Sequence, residues 1–354
     1  MTISDIIKKI APCDPKIQEA AAQRTASLAM PLRAMGEINA VSEKLCAISG
    51  VLTPDVSRRA IFVMAGDHGV CAEGVSSFPQ DVTMLMMQTM LEGRSTVCVY
   101  ANHTGTRVFI TDIGTLGEVK APENFSAVFY DRKIAKGTAN FTKTAAMSRA
   151  DAGKSILTGF ETASENIKKY DLNLITTGEM GIGNTTPSAA IAAVFTGMEP
   201  EILTGCGAGL DNAGWLRKVE AVKKGLHLHS PSKDDPVGVL ATVGGYEIGG
   251  MAGVMLAAAV HKIPVILDGV ISTAAALIAY AIAPDCREYM IAGHESEERG
   301  HKYMLDYLKL TPLLRLGMRL GEGTGAVCAI PLVELAAATI TKVATLTDAG
   351  VVKK

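Results

Sequence analysis

The most constraining feature of this 354-residue chain is a recurring pattern in which a short apolar run ends at a glycine beside an acidic or polar residue. A helical pattern follows each run, which is typical of parallel strands joined by crossover helices. The clearest runs cover residues 59–65, 107–111, 172–177 and 265–267. We therefore expect an α/β protein with a Rossmann-like parallel sheet flanked by helices. Ligands bind outside the carboxyl ends of such strands, so the glycine and acid loops mark the expected functional edge.

The two ends of the chain lack these strand signals. Residues before about 45 and after about 326 carry mainly helical patterns. We predict a small helical domain built from residues 1–45 and 326–354, and a large α/β catalytic domain over residues 46–325.

Charge and cysteine usage exclude several classes of protein. Lys plus Arg number 34 and Asp plus Glu number 36, so a net charge of −2 offers no positive surface for nucleic acid or an anionic membrane. The seven cysteines are odd in number and contain no C-x-x-C pair, which argues against a disulfide framework or a thiolate zinc site. The N-terminal stretch carries Asp5 and resembles no secretory signal. We expect a cytoplasmic protein with reduced thiols.

A membrane transporter is the first alternative, because the apolar run at residues 263–283 approaches the ~20 residues that cross a bilayer. However, Asp268 lies inside this run and Pro264 opens it. Charges within a membrane are rare and costly, so the pattern favours a short buried strand followed by a helix of small residues.

Glycines form three clusters within the predicted loops. The first, residues 178–183, precedes Thr186 and Pro187, which predict the N-cap and first residue of a helix whose free N–H groups favour a phosphate. It matches neither the dinucleotide-binding nor the Walker A pattern, so a plain strand-to-helix turn is the alternative. The second, residues 205–209, is followed by Lys218, which could neutralise the same phosphate or simply be solvated.

The third glycine cluster, residues 321–325, contains a single carboxylate, Glu322. An acid held by backbone loops beside a cleft suits a general base, although an ordinary turn is the alternative.

The histidines raise a metallohydrolase as a further alternative. No H-E-x-x-H motif or comparable ligand spacing joins His68, His227, His229, His294 or His301. We therefore expect no metal site, and histidines that act as hydrogen-bonding groups.

Seven segments together resemble the nicotinate-nucleotide:dimethylbenzimidazole phosphoribosyltransferase family. They are AGDHGV at residues 65–70, EGV at 73–75, GEMGIGNTTP at 178–187, GGYEIGGMAG at 244–253, LDG at 267–269, GHES at 293–296 and RLGEGTG at 319–325. The resemblance implies transfer of phosphoribose from nicotinate mononucleotide to a lower-ligand base of cobamides. Nicotinate is released, the anomeric carbon is inverted, and no metal or other cofactor is required.

The same resemblance implies roles for individual residues. Glu322 matches the catalytic glutamate that removes a proton from the incoming nucleophile. Positions that cradle the phosphate and ribose or border the base are matched or neighboured by Glu179, Gly181, Gly207, Lys218 and Ser296, and Asp268 closes the same cleft.

One departure from the family pattern bears on the acceptor. Members that use dimethylbenzimidazole commonly carry a Ser-Pro pair and a Gln seven residues after that proline, whereas this chain has Phe78, Pro79 and Met86. An apolar pocket discriminates by shape rather than by hydrogen bonds, which favours phenol or p-cresol over a benzimidazole.

The resemblance does not decide the oligomeric state. The phenol-activating branch of the family is a two-subunit enzyme, so we expect a heterodimer with a related chain or else a homodimer. A catalytically weak subunit that supports an active relative is the alternative to an active enzyme.

Overall fold

The computed structural model describes residues 1–119, 127–207 and 209–351. Residue 208 of the second glycine cluster and residues 352–354 of the predicted helical domain lie outside the described residues. The strands are β1 (Arg59–Gly66), β2 (Arg107–Gly114), β3 (Val128–Asp131), β4 (Leu174–Met180), β5 (Val265–Leu267) and β6 (Met290–Ala292). They form one parallel sheet in the order β3-β2-β1-β4-β5-β6. This is the strand order of a doubly wound Rossmann sheet, so the predicted fold class is confirmed.

Helices cover both faces of the sheet. They are α1 (Ile3–Ile7), α2 (Pro15–Ser27), α3 (Glu37–Ser49), α4 (Asp81–Leu91), α5 (Thr96–His103), α6 (Arg149–Tyr170), α7 (Thr185–Thr196), α8 (Pro200–Leu203), α9 (Asn212–His229), α10 (Pro236–Val243), α11 (Tyr246–His261), α12 (Val270–Ile282), α13 (His301–Leu308) and α14 (Thr324–Lys342). Phe62 and Phe109 face the core that contains α6, α11 and α12, whereas Ile61 and Ile110 face α3, α4, α5 and α14. Burial on both faces explains why the central strands are apolar without alternation.

Two of the predicted strand runs end too early. The run at residues 107–111 continues to Gly114. The run at residues 172–177 pairs only from Leu174 and continues to Met180, so Gly178 and Glu179 belong to the strand rather than to the loop. A Cβ on Gly178 would lie 2.3 Å from the Glu322 carbonyl oxygen, so this strand glycine permits a close backbone approach. The sequence reading missed β3 and β6, which are short and lie at the two edges of the sheet.

Small residues allow α6 and α11 to pack unusually closely. A Cβ on Gly159 would lie 1.9 Å from the Gly250 carbonyl oxygen, and one on Gly253 would lie 2.0 Å from that of Ile156. Residues 246–259 of α11 are all buried in this contact and against the sheet. The glycine and alanine content of the second half therefore serves helix packing as well as loops.

The last helix joins the chain ends to the sheet. Val327 and Ile330 of α14 pack on the sheet, and Ser42 of α3 donates its hydroxyl to the Ala336 carbonyl at 2.7 Å. Among the described residues α14 is the one helix long and apolar enough to span a membrane, but just over half of it is buried in the core. The division into a helical and an α/β domain stays a prediction.

Candidate active site

A cavity of about 340 Å³ opens at the carboxyl ends of β4, β5 and β6. Seven of the nine site residues predicted from the sequence line it, namely Phe78, Met86, Glu179, Gly181, Gly207, Ser296 and Glu322. The other two, Lys218 and Asp268, lie directly behind its wall, where they contact the lining segments. The structure thus brings together residues that are up to 244 positions apart, from Phe78 to Glu322, in one site.

The turn that carries Glu322 is held by two other carboxylates. Gly321, Glu322 and Gly323 have φ values of 89°, 62° and 92°, which is costly for the glutamate. The Glu322 N–H donates to Oε1 of Glu179 at 3.2 Å, and the Gly323 N–H donates to Oδ2 of Asp268 at 3.1 Å. Oδ1 of Asp268 accepts a further bond from the Ala326 N–H at 3.0 Å. The ends of β4 and β5 therefore fix the backbone of the predicted general base.

The Glu322 side chain is suited to accept a proton. It is 7% exposed, and among the described residues its Oε2 has no hydrogen-bond partner. Burial raises the pKa of Glu322, and the charge of Asp268 raises it further, against the backbone N–H of Val97 at the start of α5, which lowers it. The group is thus a stronger base than an exposed glutamate.

Glu179 carries the largest carboxyl pKa shift of the site. Burial raises its pKa to about 8, with a further contribution from the charge of Asp268. The Asn184 side-chain amide donates to Oε2 of Glu179 and opposes that shift. Glu179 is therefore mainly protonated at neutral pH, which limits the repulsion among three carboxyl groups around one turn.

The first glycine cluster leads into a helix, but the helix begins earlier than predicted. α7 begins at Thr185, so Thr186 and Pro187 are the second and third helical residues rather than the N-cap and the first. Gly183, with a φ of 89°, turns the chain, and the amide of Asn184 is engaged by Glu179 instead of capping the helix. The N-terminus of α7 still faces the cavity, as an anion site requires.

Lys218 connects the first two glycine clusters. It lies on α9 with no exposed surface, and its Nζ donates to Oγ1 of Thr185 at 2.7 Å and to the Gly205 carbonyl at 3.2 Å. Burial lowers its pKa to about 8. The ammonium group therefore lies behind both loops, beside the N-terminus of α7. Its contact with a substrate stays a prediction.

Another part of the cavity lining, called the apolar end below, carries apolar side chains. Val75, Phe78, Val82 and Met86 line it from the segment after β1 and from α4. Phe78 is 48% exposed at the rim, and Met86 is half-buried. Flat aromatic molecules fit such a wall, which offers side-chain dispersion contacts rather than hydrogen bonds.

Several other residues that line the cavity are not among the site residues predicted from the sequence. Asn184, Thr185, His294 and Glu298 line the cavity, and so does Arg319. All except Glu298 lie within the motifs quoted above, so their position in those motifs was the available signal. Within the described part of the chain, no group of three or more His, Cys, Asp or Glu side chains could hold a metal ion.

Comparison with known proteins gives consistent matches over nearly the full length. The profile of a phosphoribosyltransferase family matches residues 10–351. A nicotinate-nucleotide–dimethylbenzimidazole phosphoribosyltransferase of Desulforamulus reducens is 45% identical over 352 residues, which are 99% of this chain and 99% of that protein. A protein of the same name from Desulforudis audaxviator is 44% identical over 345 residues, 98% of this chain and 96% of that one. The crystal structure of CobT from Thermus thermophilus matches with a TM-score of 0.90 and 39% identity, covering 96% of this chain and 100% of that chain.

Proposed function

The chain belongs to this phosphoribosyltransferase family, and on that premise we propose that it transfers 5-phosphoribose from nicotinate mononucleotide to an aromatic lower-ligand base of cobamide assembly. The products are nicotinate and an α-riboside phosphate. The observation that carries the proposal is the Glu322 carboxylate, which lies in the cavity wall on a turn held by two other acids.

The proposed reaction is a displacement at C1′ of the ribose. A lone pair on the acceptor forms the new bond to C1′ while the C1′–N bond to nicotinate breaks. The electrons of that bond neutralise the pyridinium nitrogen, so nicotinate leaves without needing a proton. The proton of the acceptor N–H or O–H passes to Glu322. Attack opposite the leaving group inverts the anomeric carbon, and nearby carboxylate charge stabilises the positive charge that develops on the ribose.

The polar end of the cavity suits the phosphate of the donor. The N-terminus of α7 supplies a partial positive charge, and the buried Lys218 supplies a full one when protonated. Trp215, the single tryptophan, donates its indole N–H to the Thr204 carbonyl at 2.8 Å beside the second glycine cluster. Its fluorescence is a probe of this end. We expect nicotinate mononucleotide to change it at far lower concentration than the nucleoside without the phosphate.

For the acceptor we propose phenol or p-cresol. Phe78 and Met86 supply the apolar wall, and neither can hydrogen-bond to the second ring nitrogen of a benzimidazole. The test is competition between dimethylbenzimidazole and phenol at equal concentration, with the ribosylated products identified by mass. We expect the phenolic product to dominate. A strong preference for the benzimidazole would overturn the phenol assignment but leave the phosphoribosyl transfer intact.

The experiment on the catalytic group is Glu322→Gln, with nicotinate release as the readout. We expect a loss of about 100-fold or more in kcat, because general bases contribute on the order of 10²–10⁴. Glu297→Gln is the matched control, since Glu297 is an exposed carboxylate between Ser296 and Glu298, which line the cavity, and does not line it itself. Unchanged turnover in Glu322→Gln would remove this residue from the role of base. A wild-type chain inactive alone but active with a related chain would favour the supporting-subunit alternative.

We further propose that the active form is a cytoplasmic dimer, either of two copies or with a related chain. Phe78 and Leu320 at the cavity rim are 48% and 54% exposed, and large apolar groups are commonly covered in an assembly. Sedimentation of the purified chain, alone and after co-expression with a related chain, distinguishes these forms from a monomer.

A further inference from the structure

His301 is a buried histidine to which the proposed reaction assigns no role. It is the first residue of α13, has no exposed surface, and lies beneath the loop that carries Ser296. Its ring nitrogens contact two segments that line the cavity or support it. The ring is therefore placed to set the geometry of the wall without touching a substrate.

Hydrogen bonds around His301 fix its tautomer. The Ser296 backbone N–H lies 2.8 Å from Nδ1, and because an amide can only donate, Nδ1 must be unprotonated. The proton of the neutral ring is then on Nε2, which lies 2.8 Å from Oγ1 of Thr273. Thr273 donates its only hydroxyl proton to the Gly269 carbonyl at 2.9 Å and accepts from the ring. One assignment of protons satisfies all three bonds.

This chain of bonds joins the loops that follow two neighbouring strands. Gly269 follows β5 and Ser296 follows β6, and both line the cavity. The last paired residues of these short strands are Leu267 and Ala292. Beyond that pair, the ring of His301 and the hydroxyl of Thr273 connect the two loops where the sheet no longer does.

The charge state of His301 agrees with this arrangement. Burial and, to a smaller extent, the neighbouring His294 lower its pKa to about 3, whereas Asp268 opposes the shift. The His294 ring centre lies 6.0 Å away. A neutral ring is required, because a doubly protonated imidazole could not accept the Ser296 N–H.

We propose that His301 is a positioning residue that holds the Ser296 segment at the cavity wall through a fixed Nε2–H tautomer, so that the phosphoribosyl donor binds to a preformed site. The identity of that donor, nicotinate mononucleotide, rests on the proposed function. The positioning role itself rests on the hydrogen bonds to Ser296 and Thr273.

The first test needs no substrate. The full-length chain, labelled with ¹⁵N in histidine, is measured by NMR at pH 7, and the His301 signals are assigned by their loss in His301→Asn. We expect an unprotonated Nδ1 and a protonated Nε2. A proton on Nδ1, in either the neutral or the cationic ring, would overturn the proposal. This result stands whether or not the wild-type chain consumes nicotinate mononucleotide.

The second test separates the two hydrogen bonds. The side-chain oxygen of His301→Asn lies near the position of Nδ1 and can accept the Ser296 N–H, whereas the amide of His301→Gln lies near Nε2 and serves Thr273. We expect KM for nicotinate mononucleotide to rise about tenfold in His301→Gln, because a buried N–H loses its partner, and less than about threefold in His301→Asn. In both variants we expect kcat to change by less than about threefold.

His227→Gln is the control for the second test, because His227 is exposed on α9, and thermal melting checks that each variant folds. Equal KM values in the Asn and Gln variants, both folded, would overturn positioning through Ser296. A wild-type chain that does not consume nicotinate mononucleotide contradicts the proposed function instead.

Discussion

The two ends of the cavity are built on different physical principles. At the polar end, Lys218 makes two hydrogen bonds of defined length, and Gly181 leaves room for the Gly66 carbonyl, which would lie 2.3 Å from an added Cβ. At the apolar end, Phe78 and Met86 contribute shape and area, and Phe78 is half exposed. Changes at the first end leave buried polar groups without partners, whereas changes at the second alter only contact area.

This contrast between the polar and apolar ends determines which part of the substrate is selected most strictly. A site built from hydrogen bonds rejects the wrong ligand by large factors, because the unpaired groups remain buried. An apolar wall discriminates by factors of about 10 to 200 per methylene-sized change. We therefore expect the polar end to tolerate few substitutions. At the apolar end, we expect a few substitutions to change the preference for the acceptor.

Among changes that compare the two ends, the largest effect should come from Lys218→Met at the polar end. The substitution removes the buried cation and its bonds to Thr185 and Gly205 while keeping a similar volume. We expect kcat/KM for nicotinate mononucleotide to fall about 100-fold, since a charged hydrogen bond to a phosphate contributes on the order of 1.5–3 kcal/mol. Lys224→Met, on the exposed side of the same helix, should be nearly silent. Similar losses in both variants would contradict a specific role for Lys218.

The next effect concerns the turn that carries Glu322. Each carboxylate oxygen of Asp268 accepts from one backbone N–H, that of Gly323 or that of Ala326. Asp268→Asn keeps an oxygen for one of these N–H groups and places its own amide N–H against the other. We expect kcat to fall about 30-fold because the Glu322 carboxylate shifts, since a misplacement of ~1 Å can cost about 100-fold. The KM for nicotinate mononucleotide should change little, and steady-state kinetics separates the two quantities. A rise in KM at constant kcat would instead assign Asp268 a role in binding the phosphate at the polar end.

A smaller effect should appear as pH dependence. Burial lowers the pKa of Lys218 to about 8, so the ammonium is present below pH 8 and lost above it. We expect phosphate binding to need the charged form. The KM for nicotinate mononucleotide should therefore rise about tenfold between pH 7 and pH 9, because a group with that pKa loses about nine tenths of its protons there. The measurement is KM against pH. In Lys218→Met the rise should shrink to the part contributed by Glu179, whose pKa is also about 8 and whose ionisation adds negative charge to the cavity wall.

The sequence allowed four of the six strands and seven residues of the cavity wall to be predicted, but not the tertiary hydrogen bonds around them. The apolar runs and glycine clusters follow from local patterns, which is why β1 and β5 match their predictions and β2 begins at its predicted residue. The bonds from Glu179 and Asp268 to the Glu322 turn join positions more than 50 residues apart, and no local pattern encodes them. The short edge strands β3 and β6 were not predicted for a similar reason, because pairing with a neighbouring strand defines them.

The smallest effect should come from the apolar end, where the double variant Phe78→Ser, Met86→Gln restores the polar groups that dimethylbenzimidazole users of the family commonly carry. We expect the product ratio of dimethylbenzimidazole to phenol to rise about fivefold. This corresponds to about 1 kcal/mol, because the gain from two new hydrogen bonds is offset in part by the apolar contact area lost at an open rim. Thermal stability should change little, since Phe78 is 48% exposed. KM for nicotinate mononucleotide, measured in the same reactions, should remain at the wild-type value if the two ends act independently. A matching change in that KM would instead show that the two ends are energetically coupled, and Glu322, which lines the same cavity, would be the first residue to test for the coupling.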